Sequence, residues 1–143
     1  MGTSSVLDDF PTPPSGQLLG WHVRAVDVAA RTIEIGFTID DRFLSPAGTI
    51  QGGFLAAMID DTQGPALFAA SEGAIYAPTI DYHVVCLKPA RPGTFVGRGR
   101  VVNLGRTIAI TEAELFDAAG DAVARATFTS RVMHGGLARG AAT

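Results

Sequence analysis

Residues 48–61 read GTIQGGFLAAMIDD. Two glycines stand directly before a run rich in Ala, Leu and Met that stays mostly apolar as far as residue 70. Residues of these types favour helix, so the pattern predicts one mainly buried helix over residues 52–70. Pro65 is expected to kink or break this helix, because proline lacks an N–H and clashes with the preceding turn.

Most of the remaining chain has the alternating pattern of β-strands. The clearest case is residues 31–39, where Ile33, Ile35, Phe37 and Ile39 share one face. A shorter alternating run over residues 17–28 is expected to form a hairpin with it. Further strands are predicted over residues 75–87, 94–104, 106–117 and 122–133. One helix among about six strands is an α+β plan in which the helix packs on one face of an antiparallel sheet.

The length of 143 residues suits a single domain. We place this domain at residues 17–134, with an N-terminal arm at residues 1–16 and a flexible tail at residues 135–143. The arm carries three prolines and little apolar pattern, so it is expected to be loose or to form a short docking turn. The composition, with a hydrophobic share of 47%, is slightly rich in apolar residues and favours a subunit interface, with a well-filled core as the alternative.

Composition excludes several classes of function. The net charge of −3 comes without a Lys/Arg cluster, so nucleic-acid binding is not indicated. Neither a signal peptide nor an apolar span of membrane length is present, which predicts a cytoplasmic protein without membrane contact. The single cysteine, Cys86, excludes an intrachain disulfide and a multi-cysteine zinc site, and its apolar neighbours favour a buried structural thiol. The histidines are widely spaced, so no metal or cofactor is expected: they are His22, His83 and His134.

The start of the predicted helix has the properties of a binding site. The first N–H groups of a helix have no internal partner, and the helix dipole makes that end positive. With glycines there, the N–H groups lie uncovered and can polarise a carbonyl, although glycines also fit an ordinary tight turn. Further along, Asp60 and Asp61 interrupt the apolar run. Neighbouring helix residues point about 100° apart, so at most one of the two carboxylates faces a site. Solvation or hydrogen bonding of both remains the alternative.

The segment GTIQGGFLAAMIDD resembles the motif G-x-x-H-G-G followed by a helix carboxylate in hotdog-fold thioesterases, specifically the PaaI-like and 4-hydroxybenzoyl-CoA thioesterase branch. The similarity continues through TIDYHVVCLKPARPG and NLGRTIAITEAELFDAAGDAVARATFT and covers roughly residues 17–133. The resemblance implies a hotdog fold, in which an antiparallel sheet of about six strands wraps around one long central helix. It implies an acyl-CoA thioesterase that releases a carboxylic acid and free CoA.

The resemblance also implies roles for individual residues. Gly52 matches the glycine whose backbone N–H polarises the thioester carbonyl, and Asp60 matches the carboxylate that acts as nucleophile or general base. Thr79 resembles the Ser/Thr that positions water or the carboxylate. Gln51 stands where most relatives carry His, and Ser45 stands where many carry Asn or Gln. The departure at Gln51 removes a titratable group but keeps a hydrogen-bonding side chain, and the departure at Ser45 leaves the role of this residue open.

The distance between the two principal residues predicts an oligomer. Gly52 and Asp60 lie about 12 Å apart along one helix, too far to act on the same carbonyl. Asp60 should therefore come from a second subunit, which predicts at least a homodimer, and the resemblance implies a homotetramer. Basic residues that could contact the CoA phosphates stand at strand ends and turns: Lys88, Arg91 and Arg106.

Alternatives remain open at this point. A hotdog domain that binds acyl-CoA without hydrolysing it fits the departures at Ser45 and Gln51. A hydratase or dehydratase usually needs a histidine where Gln51 stands, and a purely structural module would not depend on Asp60. The acyl group is not indicated by the sequence.

Overall fold

The computed structural model describes residue 2 and residues 4–136. Two α-helices lie in this part of the chain, α1 (Pro14–Leu18) and α2 (Gly52–Ala70), together with short 3-10 helices at Val6–Asp9 and Asp41–Phe43. The strands, in chain order, are β1 (His22–Asp27), β2 (Thr32–Ile39), β3 (Ile75–Tyr76), β4 (Thr79–Cys86), β5 (Gly93–Leu104), β6 (Ile108–Phe116), β7 (Ala122–Arg131) and β8 (Met133–His134).

Six strands form one antiparallel sheet in the order β1-β2-β5-β6-β7-β4. Strands β3 and β8 form a separate two-stranded pair. Helix α2 packs across one face of the large sheet and contacts its central strands. The predicted α+β plan, with about six antiparallel strands and one long helix, is confirmed.

The core lies between α2 and the concave face of the sheet. Alternation along β2 turns Ile33, Ile35 and Phe37 inward, and Met58 and Leu67 of the helix meet this face, all of them fully or almost fully buried. Because α2 is apolar around most of its surface, the sheet can curve around it. Gly97 of β5 allows the helix to approach closely, since a Cβ there would overlap Oγ1 of Thr62.

Pro65 lies inside α2 and does not break it, so of the expected kink or break the break does not occur. A proline in a helix leaves the carbonyl four residues earlier without its usual donor. Here that carbonyl belongs to Asp61, and the indole Nε1–H of Trp21 donates to it at 3.0 Å. A tertiary contact thus supplies the missing hydrogen bond, and the helix continues to Ala70.

Cys86 is exposed, so the prediction of a buried thiol was wrong. The residue ends β4, which lies at the edge of the sheet with β7 as its neighbour in the described part of the chain. The apolar residues next to Cys86 in the sequence therefore do not predict its burial, because the side chain lies at the open edge of the sheet. The predicted strand over residues 75–87 is also divided, because Ala77 and Pro78 separate β3 from β4.

The N-terminal residues carry some regular structure. Ser5 caps the 3-10 helix at Val6–Asp9, and the backbone of Gly2 pairs with that of Val26 in β1. The predicted tail falls largely on residues 137–143, which lie outside the described residues. Among the helices of the described chain, none is long and apolar enough to cross a membrane.

Candidate active site

Asp60 is an exposed carboxylate held by two neighbours. Its Oδ1 accepts a hydrogen bond from Oγ1 of Thr79 at 2.9 Å and another from Nε2 of Gln63 at 3.0 Å. Thr79 is the first residue of β4, and Gln63 lies three positions after Asp60, on the same side of α2. Both of these hydrogen bonds end on Oδ1, and within the described chain Oδ2 of Asp60 has no hydrogen-bond partner.

Two buried polar residues, Gln63 and Thr111, form hydrogen bonds that lead to the carboxylate of Asp60. Gln63 is 1% exposed and Thr111 of β6 is fully buried, and Oγ1 of Thr111 donates to Oε1 of Gln63 at 2.9 Å. Nε2 of Gln63 also lies 3.1 Å from Oγ1 of Thr79, to which it donates. The sequence pattern did not indicate either residue. Gln63 could have been suspected, because it is a polar residue in an apolar helix one turn after Asp60. No feature of the sequence distinguishes Thr111.

Asp61 occupies a different environment, as expected from the 100° between neighbouring helix positions. Burial, followed by repulsion from the charge of Asp60, raises the pKa of Asp61 from 3.8 to about 6. Its Oδ2 is buried and has no hydrogen-bond partner among the described residues. Asp61 is thus a poorly solvated acid that faces away from the hydrogen bonds around Asp60.

The start of α2 presents uncovered backbone donors. Gly52 is the first helical residue and is exposed, and Gln51 before it is an exposed N-cap whose side chain makes no capping hydrogen bond. The loop is anchored from the other side, because the N–H of Gln51 donates to the carbonyl of Phe43 at 3.0 Å. In the described part of the chain the N–H of Gly52 has no acceptor, as expected for the first turn of a helix.

The end of β4 lies beside this helix start. A Cβ placed on Gly52 would lie 3.5 Å from Sγ of Cys86, which is ordinary van der Waals contact. Strand β4 therefore has Thr79, bonded to Asp60, at its first residue and Cys86, next to Gly52, at its last. Within one chain Gly52 and Asp60 stand about 12 Å apart along α2, so a single subunit does not bring them to one carbonyl.

Ser45 makes only local contacts among the described residues. Its hydroxyl oxygen accepts from the N–H of Ala47 at 3.3 Å, and its own N–H donates to the carbonyl of Thr49 at 2.7 Å. These bonds shape the turn that leads into the helix. The side chain of Ser45 has no hydrogen bond to Gly52 or Asp60.

The three basic residues have different surroundings. Lys88 lies 2.8 Å from a carboxylate oxygen of Asp121 and 2.9 Å from one of Asp117, and the hydrogen bonds to these two groups raise the pKa of Lys88. Arg91 and Arg106 are exposed. Lys88 would have to exchange its present partners in order to bind a phosphate.

A concavity of about 630 Å³ lies on the outer face of the sheet, and no residue of α2 lines it. Its lining is charged and includes Glu34, Arg98 and Arg100, but none of the residues discussed above as site residues. The described residues contain no group of three or more His, Cys, Asp or Glu side chains placed to hold a metal ion.

Comparisons with known proteins agree with this architecture. The family described as Thioesterase superfamily matches residues 47–124, more than half of the chain. A phenylacetic acid degradation-related protein of Ralstonia eutropha JMP134 is 34% identical, with 88% of this chain and 95% of that chain covered and a TM-score of 0.82. The comparison with curated protein sequences gives no match.

Two more distant structures share the fold. The PaaI protein from the phenylacetic acid degradation operon of E. coli is 18% identical, with 86% of each chain covered and a TM-score of 0.77. A protein of Streptococcus mutans UA159, solved bound to acetyl CoA, is 23% identical, with 80% of this chain and 89% of that chain covered and a TM-score of 0.72. The family resemblance predicted from the sequence is confirmed: the chain belongs to the thioesterase superfamily, has the hotdog fold, and is a thioester hydrolase.

Proposed function

We propose that the protein is an acyl-CoA thioesterase that hydrolyses an acyl- or aryl-CoA thioester to a carboxylic acid and free CoA, in a site shared by two subunits. The observation that carries the proposal is the arrangement of β4. One end of this edge strand supports the carboxylate of Asp60 through Thr79, and its other end lies beside Gly52 through Cys86.

An edge strand offers unpaired backbone groups to a second chain. Two large apolar side chains of β4 are exposed to solvent: Ile80 is 58% exposed and Tyr82 is 50% exposed. Large exposed apolar side chains beside an open edge favour pairing with a second copy. In this proposal β4 pairs antiparallel with β4 of a second copy about a two-fold axis. The pairing covers the apolar side chains and gives hydrogen-bond partners to the open backbone groups of both β4 strands.

Such pairing assembles the site. A register centred between Tyr82 and His83 sets Thr79 of one subunit opposite Cys86 of the partner subunit. Asp60 of one subunit then approaches Gly52 of the partner subunit, although the two are far apart within one chain. Two equivalent sites arise for each dimer. A homodimer is therefore the smallest functional unit. We further propose that two dimers pair into a homotetramer and that the protein acts in the cytoplasm.

The chemistry follows from the groups that meet there. The N–H of Gly52, reinforced by the dipole of α2, donates to the thioester oxygen and stabilises the negative charge that develops on it. Oδ2 of Asp60 either attacks the carbonyl carbon or takes a proton from the water that attacks it. The C–S bond breaks, the CoA sulfur receives a proton, and water supplies the second oxygen of the carboxylic acid. This reaction needs no cofactor.

Support for CoA as the leaving group comes from the related fold that holds acetyl CoA. Arg91 and Arg106 are exposed and can approach CoA phosphates, and Lys88 can join them by releasing its two carboxylates. Gln51 and Ser45 flank the helix start and can orient the substrate by hydrogen bonds.

The first test is release of free CoA thiol from a panel of aryl and aliphatic acyl-CoAs. Asp60→Asn should lower kcat by at least about 100-fold, because it removes the reacting oxygen. Asp61→Asn is the matched control, since it removes the neighbouring carboxylate on the same helix and should keep kcat within about three-fold. Wild-type protein that releases no thiol from any substrate would refute the proposal, and so would equal losses in the two variants.

A second test asks whether the site is shared. Gly52→Pro removes the proposed N–H donor at the first helical position, where proline fits, and Gln51 before it already has the extended backbone that proline requires. Asp60→Asn and Gly52→Pro subunits should each be inactive alone. Refolded together, they should regain about a quarter of wild-type activity, because half of the dimers carry one intact site. A site within one subunit would give no recovery.

A further inference from the structure

We infer that Gln63 is a positioning residue for the hydrolytic reaction, which holds Asp60 so that Oδ2 is the oxygen presented to the substrate. This inference rests on the proposed function of Asp60. Gln63 is 1% exposed and lies in an otherwise apolar stretch of α2, where a buried amide is costly unless it is hydrogen-bonded. Its hydrogen bonds lead directly to the carboxylate.

The donors and acceptors of this network allow one arrangement. An ionised carboxylate can only accept hydrogen bonds, so the NH2 group of Gln63 must face Asp60. Oε1 of Gln63 then faces Thr111, whose hydroxyl donates to it at 2.9 Å. The two hydrogens of Nε2 go to Oδ1 of Asp60 at 3.0 Å and to Oγ1 of Thr79 at 3.1 Å. The Thr79 hydroxyl is thereby oriented to donate to Oδ1 at 2.9 Å.

The network thus leads to Oδ1 of Asp60, to which Gln63 and Thr79 donate directly, while Thr111 holds the amide of Gln63. Oδ1 of Asp60 receives two hydrogen bonds, whereas Oδ2 receives none from the described residues. Asp60 itself is exposed and would otherwise sample several rotamers. Gln63 and Thr111 are almost fully buried between the helix and the sheet, where close packing restricts side-chain rotamers. Fixing a reacting group in this way lowers the barrier of the chemical step rather than strengthening substrate binding.

The test compares four variants by steady-state kinetics on the best acyl-CoA substrate. Gln63→Met has a similar volume but no amide, and it should lower kcat about 10- to 100-fold while KM stays within about two-fold. Thr111→Val keeps the shape and removes the donor that orients the amide, so a smaller loss of kcat is expected. The double variant should lose no more than Gln63→Met alone, because Thr111 acts through Gln63.

Thr62→Val is the matched control. Thr62 is also fully buried in α2, and its hydroxyl donates to the carbonyl of Met58 at 2.8 Å, not to the Asp60 network. It should keep the wild-type kcat. A kcat of Gln63→Met equal to that of wild type would overturn the inference. A rise in KM with unchanged kcat, or losses that add in the double variant, would overturn it as well.

Crystal structures of wild type and Gln63→Met separate this inference from the proposed function. The carboxylate of Asp60 should leave its bond to Thr79 in the variant while α2 keeps its position. If wild type hydrolyses no thioester, the proposed function fails. The position of the Asp60 carboxylate in the two crystal structures then still tests whether Gln63 holds that carboxylate. An Asp60 carboxylate that stays within hydrogen-bonding distance of Oγ1 of Thr79 in the variant would refute the positioning role.

Discussion

Replacing Asp61 by Asn should stabilise the protein at neutral pH. The carboxyl group of Asp61 is partly buried, has one oxygen without a hydrogen-bond partner in the described chain, and lies next to Asp60. These conditions raise its pKa from 3.8 to about 6. At about 1.4 kcal/mol for each pKa unit, the charged form costs the folded state up to about 3 kcal/mol. Residual solvent contact screens part of this, so we expect about 1–3 kcal/mol.

The sign of the pH dependence follows from the direction of this shift. The folded state holds the Asp61 proton more tightly than the unfolded state, so the stability that this proton contributes is complete below about pH 4. It is lost as the pH rises to about 6 and beyond. Asparagine does not titrate. The free energy of unfolding of Asp61→Asn should therefore equal that of wild type near pH 4 and exceed it at pH 7.5.

Urea denaturation followed by circular dichroism at pH 4 and pH 7.5, at one fixed protein concentration, measures this difference. Asp41→Asn, which removes an exposed carboxylate from a 3-10 helix, is the control and should not reproduce the pH-dependent gain. The reasoning is refuted if Asp61→Asn is no more stable than wild type at pH 7.5, or if its advantage is the same at both pH values.

Two further predictions concern the packing of α2 and the open edge of the sheet. Gly97→Ala should destabilise the protein by about 1–3 kcal/mol, because the new methyl group overlaps buried Thr62 and pushes the helix away from β5. Gly64→Ala, which meets open space, should instead stabilise it by about 0.5–1 kcal/mol, and equal melting temperatures for the two would contradict this reading. Ile80→Lys should leave the subunit folded but shift sedimentation towards the monomer and lower kcat in parallel. An unchanged sedimentation coefficient would count against pairing through β4.

The helix and strands could be predicted because their periods are local. Apolar residues every second position in 31–39 and a continuous apolar run in 52–70 correspond closely to β2 and α2. The continuity of α2 through Pro65 could not be predicted, since it depends on Trp21, which is distant in sequence. The exposure of Cys86 depends on the place of β4 in the sheet, which no local pattern reveals.

The candidate site divides in the same way. The residue pattern indicated an open helix start and one site-facing carboxylate, and the family resemblance assigned these roles to Gly52 and Asp60 and added Thr79. Gln63 and Thr111 were not indicated, because the hydrogen bond between them joins residues 48 positions apart in the chain. Tertiary folding alone determines which buried side chain supports a reactive one.

Helix and strand periods and motif spacing are properties of neighbouring residues, so the α+β class, the family, and the glycine start and carboxylates of one helix could be inferred before folding was considered. The hydrogen bonds of Asp60 and the poor solvation of Asp61 follow instead from the folded chain. Folding also brings Asp60 and Gly52 to opposite ends of the edge strand β4. Burial and hydrogen-bond partners arise where distant segments meet, and packing rather than order along the chain sets their positions.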